Sequence, residues 1–97
     1  MNLPDFIRLG GHKIAIVRRE LGDEAYGIFD SEALTITLDS TLTGSILVES
    51  FCHELVECLN FFAEAEMEHK SVQVFGLLLG QAISSILGQE EGQSGVN

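Results

Sequence analysis

A chain of 97 residues with 5 Lys and Arg against 15 Asp and Glu carries a formal charge of −10 at pH 7, its 3 His counted neutral. It repels phosphate on average and lacks the positive footprint that nucleic-acid binding and docking on anionic lipid require. With 45% hydrophobic and 21% charged residues it is too apolar to stay disordered, and its length suits one small domain that attracts cationic partners, metal ions or basic proteins.

The first eleven residues contain Asp5 and no apolar stretch of the kind a secretory leader needs, so a cytoplasmic location is expected. Residues 12–19, His-Lys-Ile-Ala-Ile-Val-Arg-Arg, put Ile14 and Ile16 on one face of a strand. Leu-Gly-Asp-Glu at 21–24 is turn chemistry. A second strand over 25–30 places Tyr26 and Ile28 together, and Asp30-Ser-Glu32 turns the chain again. Residues 33–39 form the clearest strand, with Leu34, Ile36 and Leu38 alternating with Thr35 and Thr37. Three short strands with tight turns predict an antiparallel meander whose apolar face needs a cover.

The pattern then becomes helical. Asp39, Ser40, Thr41 and Thr43 are N-cap candidates for a helix over 44–62. At about 100° per residue, Leu47, Val48, Phe51, Cys52, Leu55, Val56, Cys58, Leu59 and Phe62 fall on one arc covering half the circle. Glu-Ala-Glu-Met-Glu at 64–68 is an acidic connection, and a second helix runs from His69 to Leu87 with Gly88 as its C-cap. Gly76 and Gly80, four apart, predict close packing against the first helix. Residues 72–87 are interrupted by Gln73, Gln81, Ser84 and Ser85, so this segment reads as too short and too polar to span a bilayer. Cys52 and Cys58 are separated by a helical rise of about 9 Å, beyond disulfide reach; they read as reduced core thiols. The expected fold is α+β, three antiparallel strands covered by two helices, as a single domain over 1–89 with a flexible acidic tail over 90–97.

One constellation carries chemistry. Residues 53–57 read His-Glu-Leu-Val-Glu. His53 and Glu57 are one helical turn apart and about 40° around the axis, close enough for both to reach one ion. Glu54 lies about 60° from Glu57, and all three lie off the apolar arc, so none is expected to be buried by it. If the helices form a hairpin, His69 can return toward the pair. Two imidazoles and a carboxylate, His53, His69 and Glu57, then form a three-ligand set of the kind that binds catalytic Zn²⁺ with a position left for water. The ion lowers the pKa of that water, and Glu54 can take the proton and pass it to a leaving amine. This is the logic of His-Glu-x-x-His metallopeptidases with Glu in the last position. An edge strand, expected at 33–38, would hold an extended peptide beside the ion. A solvated helix face with a surface histidine carries the same residue types, but this motif interrupts an apolar segment. His12 reads as a surface residue, while Glu49, Glu64, Glu66 and Glu68 read as solvated acids, with Glu66 or Glu68 as a substitute ligand.

Leu-Asp-Ser-Thr-Leu at 38–42, Val-Glu-Ser-Phe-Cys-His-Glu-Leu-Val-Glu-Cys-Leu-Asn at 48–60 and Met-Glu-His at 67–69 resemble small phage- or prophage-encoded metallopeptidase-like proteins. These are minimal zincins, distantly similar to the ImmA/IrrE and SprT-like groups, and the resemblance spans residues 11–87. It implies a zincin-like fold, zinc held by His53, Glu57 and His69, Glu54 as the catalytic base, and a peptide or protein substrate. Glu57 departs from the commoner His, and a carboxylate there makes the bound water less acidic and peptidase activity weaker. Three functions follow. The first is a zinc-dependent metallopeptidase of phage type. The second is a non-catalytic acidic interaction protein on the same scaffold, occupying a basic host protein. The third is an all-helical carboxylate metal enzyme of the pyrophosphatase or di-iron kind, suggested by Glu54-x-x-Glu57 and Glu66-x-x-His69 and disfavoured by the strands.

Overall fold

A computed structural model describes residues 2–88. Residue 89 and the tail expected over 90–97 lie outside the described residues. The chain runs β1 (Phe6–Leu9), β2 (His12–Arg19), β3 (Gly27–Asp30), β4 (Thr35–Asp39), α1 (Gly44–Ala63) and α2 (His69–Leu87). The class is α+β, as the patterning predicts, and the sheet removes the all-helical alternative.

The sheet differs from the expected meander. It has four strands in the order β1-β2-β4-β3. β1, absent from the expected set, pairs antiparallel with β2 through Phe6–Ala15 to Leu9–His12. Gly10 and Gly11 turn this hairpin with φ of 58° and 81°, which a glycine pair adopts without steric cost. β2 and β4 are parallel, Ala15 facing Thr35 and Arg19 facing Asp39, while β3 is antiparallel to β4. Residues 20–26 therefore carry the chain past the vacant central position to the far edge, and β4 fills that position. The physical reason is burial. Ile36 and Leu38 of β4 are fully buried, whereas the residues of β3 are at best half-buried. Of β3 and β4, the strand that buries its apolar side chains fully takes the central position. Leu34 turns at φ 51°, so β4 starts at Thr35 rather than at residue 33.

The apolar face of the sheet, Ile14, Ile16, Ile36 and Leu38, packs with Leu42, Leu47 and Cys58. α1 lies against β3 and β4. α2 does not share in covering the sheet as expected: it packs on α1, and its backbone comes close to no strand. The order of layers is sheet, α1, α2. Arg18 fixes the approach to α1. Its guanidinium donates to the carbonyls of Asp39 and Ser40 at 3.2 Å and of Leu42 at 2.8 Å. Asp39 supports the same turn by accepting from the Thr41 backbone N–H at 3.1 Å and the Thr41 hydroxyl at 3.2 Å. Thr43 is the N-cap of α1 but its side chain makes no cap bond.

The helix hairpin closes through residues 64–68, where Glu64 and Glu66 take positive φ. The Asn60 side-chain oxygen accepts from the Met67 N–H at 2.9 Å across this reversal. Along α2 the stripe facing α1 is Val72, Gly76, Gly80 and Ser84, all buried. A Cβ on Gly76 would sit 2.8 Å from the Cα of His53, and one on Gly80 would sit 3.0 Å from the Cα of Glu49. Backbone atoms cannot step aside, so the small residues set how closely α2 approaches the motif helix, as their spacing predicts. Gly76→Ala should lower stability by about 1–3 kcal/mol, even though alanine adds up to about 1 kcal/mol of helix propensity. Urea titration measures it. A variant more stable than wild type would mean that the helices are not in backbone contact there.

Among the described residues one helix, α2, is long and apolar enough to cross a membrane by length and composition. The segment that the sequence reading set aside as too short and too polar therefore passes that test within the full helix.

Candidate metal centre and cleft

α1 presents the motif. Its buried residues include Leu47, Val48, Cys52, Val56 and Cys58 on the core side, and also Glu54. His53 and Glu57 stand one turn apart, about one-third exposed, with His53 Nε2 3.7 Å from the Glu57 carboxylate. The hairpin returns His69, at the first turn of α2, to the same place: its ring centre is 6.3 Å from that of His53, with the rings nearly perpendicular. Thus the structure places His53 near Glu57 and near His69. Glu66 and Glu68 are exposed on the connection. His12 is exposed at the other end of the molecule's sheet hairpin, stacked on Phe62 at 4.8 Å.

Glu54 corrects the sequence reading. Its position off the apolar arc predicts a solvated carboxylate, yet it is only 7% exposed. The cause is the edge strand. β3 passes over α1 at Gly27, and a Cβ there would lie 3.0 Å from Glu54 Cγ and 3.2 Å from its carboxylate. A helix face that is polar by its own periodicity is thus covered by a neighbouring strand. Burial, and secondarily the negative charge of Glu57, pushes the Glu54 carboxyl from 4.5 up to about 7. A carboxyl titrating near neutrality can hold or release a proton at working pH, the property a general base or acid needs.

Glu54 and His53 face a cleft of about 310 Å³ lined by Tyr26, Gly27, Glu49, Ser50, His53, Glu54, Gln73 and Leu77. It lies between the start of β3, the N-terminal half of α1 and one side of α2. Of the three expected ligands only His53 lines this cleft. Tyr26, Gly27, Glu49, Ser50, Gln73 and Leu77 were not read from the sequence as site residues. Gly27 carried a usable signal, because a glycine inside a strand pattern marks close approach by another group. The strand expected to hold a peptide, 33–38, is corrected as well: β4 is hydrogen-bonded on both sides, and the free edge beside the cleft belongs to β3.

The two thiols are not part of the site's chemistry. Both are buried, and burial is the main reason that Cys58 is pushed up to about 12 and Cys52 is raised, with nearby glutamates adding to each. They stay protonated and unreactive.

Whether the donors fit a metal can be tested on these distances. Among the described residues no group of three or more His, Cys, Asp or Glu side chains is placed to hold a metal ion. Zinc–nitrogen bonds of about 2.0–2.1 Å in tetrahedral geometry place two bound imidazole centres about 5 Å apart and neighbouring donor atoms about 3.3 Å apart. The observed 6.3 Å exceeds the first by about 1.3 Å and the observed 3.7 Å exceeds the second by about 0.4 Å. His69 is exposed, so a change of its rotamer meets no packed neighbour. The donor types fit zinc in chemistry, while their placement does not close a site around an ion.

No family model matches this chain, and no curated protein or solved structure matches it. The reading of the site rests on its geometry.

Proposed function

We propose that the protein is a zinc-dependent peptidase of minimal zincin type. The single observation that carries this reading is the placement of His53. Its ring stands beside Glu57 and His69 on one side and shares a cleft with the buried carboxyl of Glu54 on the other. His53, Glu57 and His69 would hold the ion, which supplies an acidified water and polarises a carbonyl. Glu54 would take a proton from that water at its carboxylate and pass it to the leaving amine, since burial raises its pKa to about 7. Gly27 keeps the roof over Glu54 low and excludes water from one side of it. The free edge of β3 offers backbone groups to an extended peptide along the cleft, and Glu49 and Glu54 favour cationic side chains within it.

The test is hydrolysis of an unstructured, lysine-rich polypeptide by zinc-loaded protein. Wild type should cleave it, while Glu54→Gln should retain stoichiometric zinc and lose at least about 100-fold in rate, the usual contribution of a general base. Equal rates for the two proteins would remove Glu54 from the chemistry. A variant that loses zinc would place Glu54 among the ligands.

A further inference from the structure

We infer that the outer face of α2 is a homodimer interface, in which α2 packs antiparallel against α2 of a second copy of this chain. α2 is built inside out for a helix of a monomer. Three of the four buried residues facing α1 are small, Gly76, Gly80 and Ser84, while Val74, Phe75, Leu78 and Ile86 face away. Val74, Phe75 and Leu78 are about half exposed and Ile86 is 77% exposed. Together with Ala82 and Ser85 they fall within a sector of about 120°, opposite the buried stripe. Residues 71–87 contain no charged side chain, in a chain of net charge −10. Two copies that repel each other everywhere else can therefore meet here without burying a charge.

The face is also complementary to itself. A two-fold axis at the level of residue 80 sets Phe75 opposite Ser85, Leu78 opposite Ala82 and Val74 opposite Ile86, each pair occurring twice as an isologous interface requires. Large residues meet small ones at two of the three levels, which gives interdigitation in place of collision. The exposures amount to roughly 450 Å² of apolar surface per copy, as large as the functional patches of monomers. Complete burial of that surface on both copies gives about 900 Å² in total, the size of a small, weak interface. Other occupants match less well. An interfacial lipid-binding helix carries Lys and Arg along a solvated face, whereas α2 has Lys70 alone. Residues 89–97 offer a single apolar side chain, Val96. A charged partner gains nothing from an uncharged face.

The interface leaves Gln73 and Leu77 facing the cleft, so its test does not depend on the metal reading. Sedimentation equilibrium of the full chain should give twice the 10.6 kDa chain mass. Leu78→Glu should give the monomer mass with an unchanged far-ultraviolet circular dichroism spectrum, because Leu78 is not in the core. The double variant L78E/A82K should restore the dimer by pairing Glu with Lys across the two-fold axis. A wild type that stays at 10.6 kDa up to about 200 µM overturns the proposal. So does a dimer that survives L78E, a failure of A82K to restore it, or capture of the wild-type monomer by neutral phosphatidylcholine vesicles.

Discussion

Zinc in hundredfold excess over its dissociation constant should raise the unfolding midpoint of the metal-free protein by about 10–20 °C. A ligand that binds only the folded state adds about 2.7 kcal/mol at that excess, and a domain of this size shifts by about 4–8 °C per kcal/mol. His53→Ala should abolish the rise, because His53 is the donor flanked by both other candidates, at 3.7 Å from Glu57 and with its ring 6.3 Å from that of His69. His69→Ala should leave a two-donor site and most of the rise should go. Magnesium should do little, since it takes oxygen ligands in an octahedron and these donors are mainly nitrogen. Differential scanning fluorimetry with and without a chelator reads all four arms. An equal zinc shift in wild type and His53→Ala would sink the metal reading.

Glu54→Gln should make the metal-free protein more stable than wild type at pH 8 and nearly equal to it at pH 4. The Glu54 carboxyl titrates near 4.5 when unfolded and near 7 when folded. Between those values the folded state binds the extra proton, so folding stability falls as pH rises through that window and stays low above it. Each tenfold change in proton affinity corresponds to about 1.4 kcal/mol. The full difference is thus about 3 kcal/mol, reduced to roughly 1–2 kcal/mol by water in the open cleft. Glutamine keeps the shape of the protonated acid and never ionises. Urea unfolding from pH 4 to pH 8, with chelator present, should show wild type losing stability relative to Glu54→Gln. Parallel curves for the two proteins would mean that Glu54 is solvated when folded. A buried carboxyl that costs stability at working pH is expected of a group kept for chemistry.

Most of the secondary structure was legible in the sequence, and the reasons are local. β2 and β4 alternate apolar and polar residues, α1 keeps an apolar arc, and Gly88 ends α2 in the left-handed conformation as its position predicts. β1 escaped notice because its alternation covers only four residues, although Gly10-Gly11 after it is a hairpin signal. The parallel pairing of β2 with β4 was not legible, since a meander and a skipped strand share the same turns and differ only in which strand buries most. The proximity of His53 to Glu57 and to His69 was legible because a helical turn and a short hairpin hold their spacing by themselves. The rest of the cleft was not, because Tyr26, Gln73 and Leu77 come from three elements whose meeting no local pattern encodes.

Sequence alone determined the two helices, the acidic reversal between them, and which imidazoles and carboxylates can share one end of the hairpin. These depend on 3.6-residue periodicity, on glycine spacing and on charge, all properties of neighbours along the chain. Only the tertiary structure decided that Glu54 is buried, that β4 is central and β3 an edge, and that Val74, Phe75, Leu78 and Ile86 of α2 face outward. Burial belongs to whichever element arrives on top of a residue, and here it was a strand some twenty-seven positions upstream, at Gly27, that changed a solvated acid into one poised near neutrality.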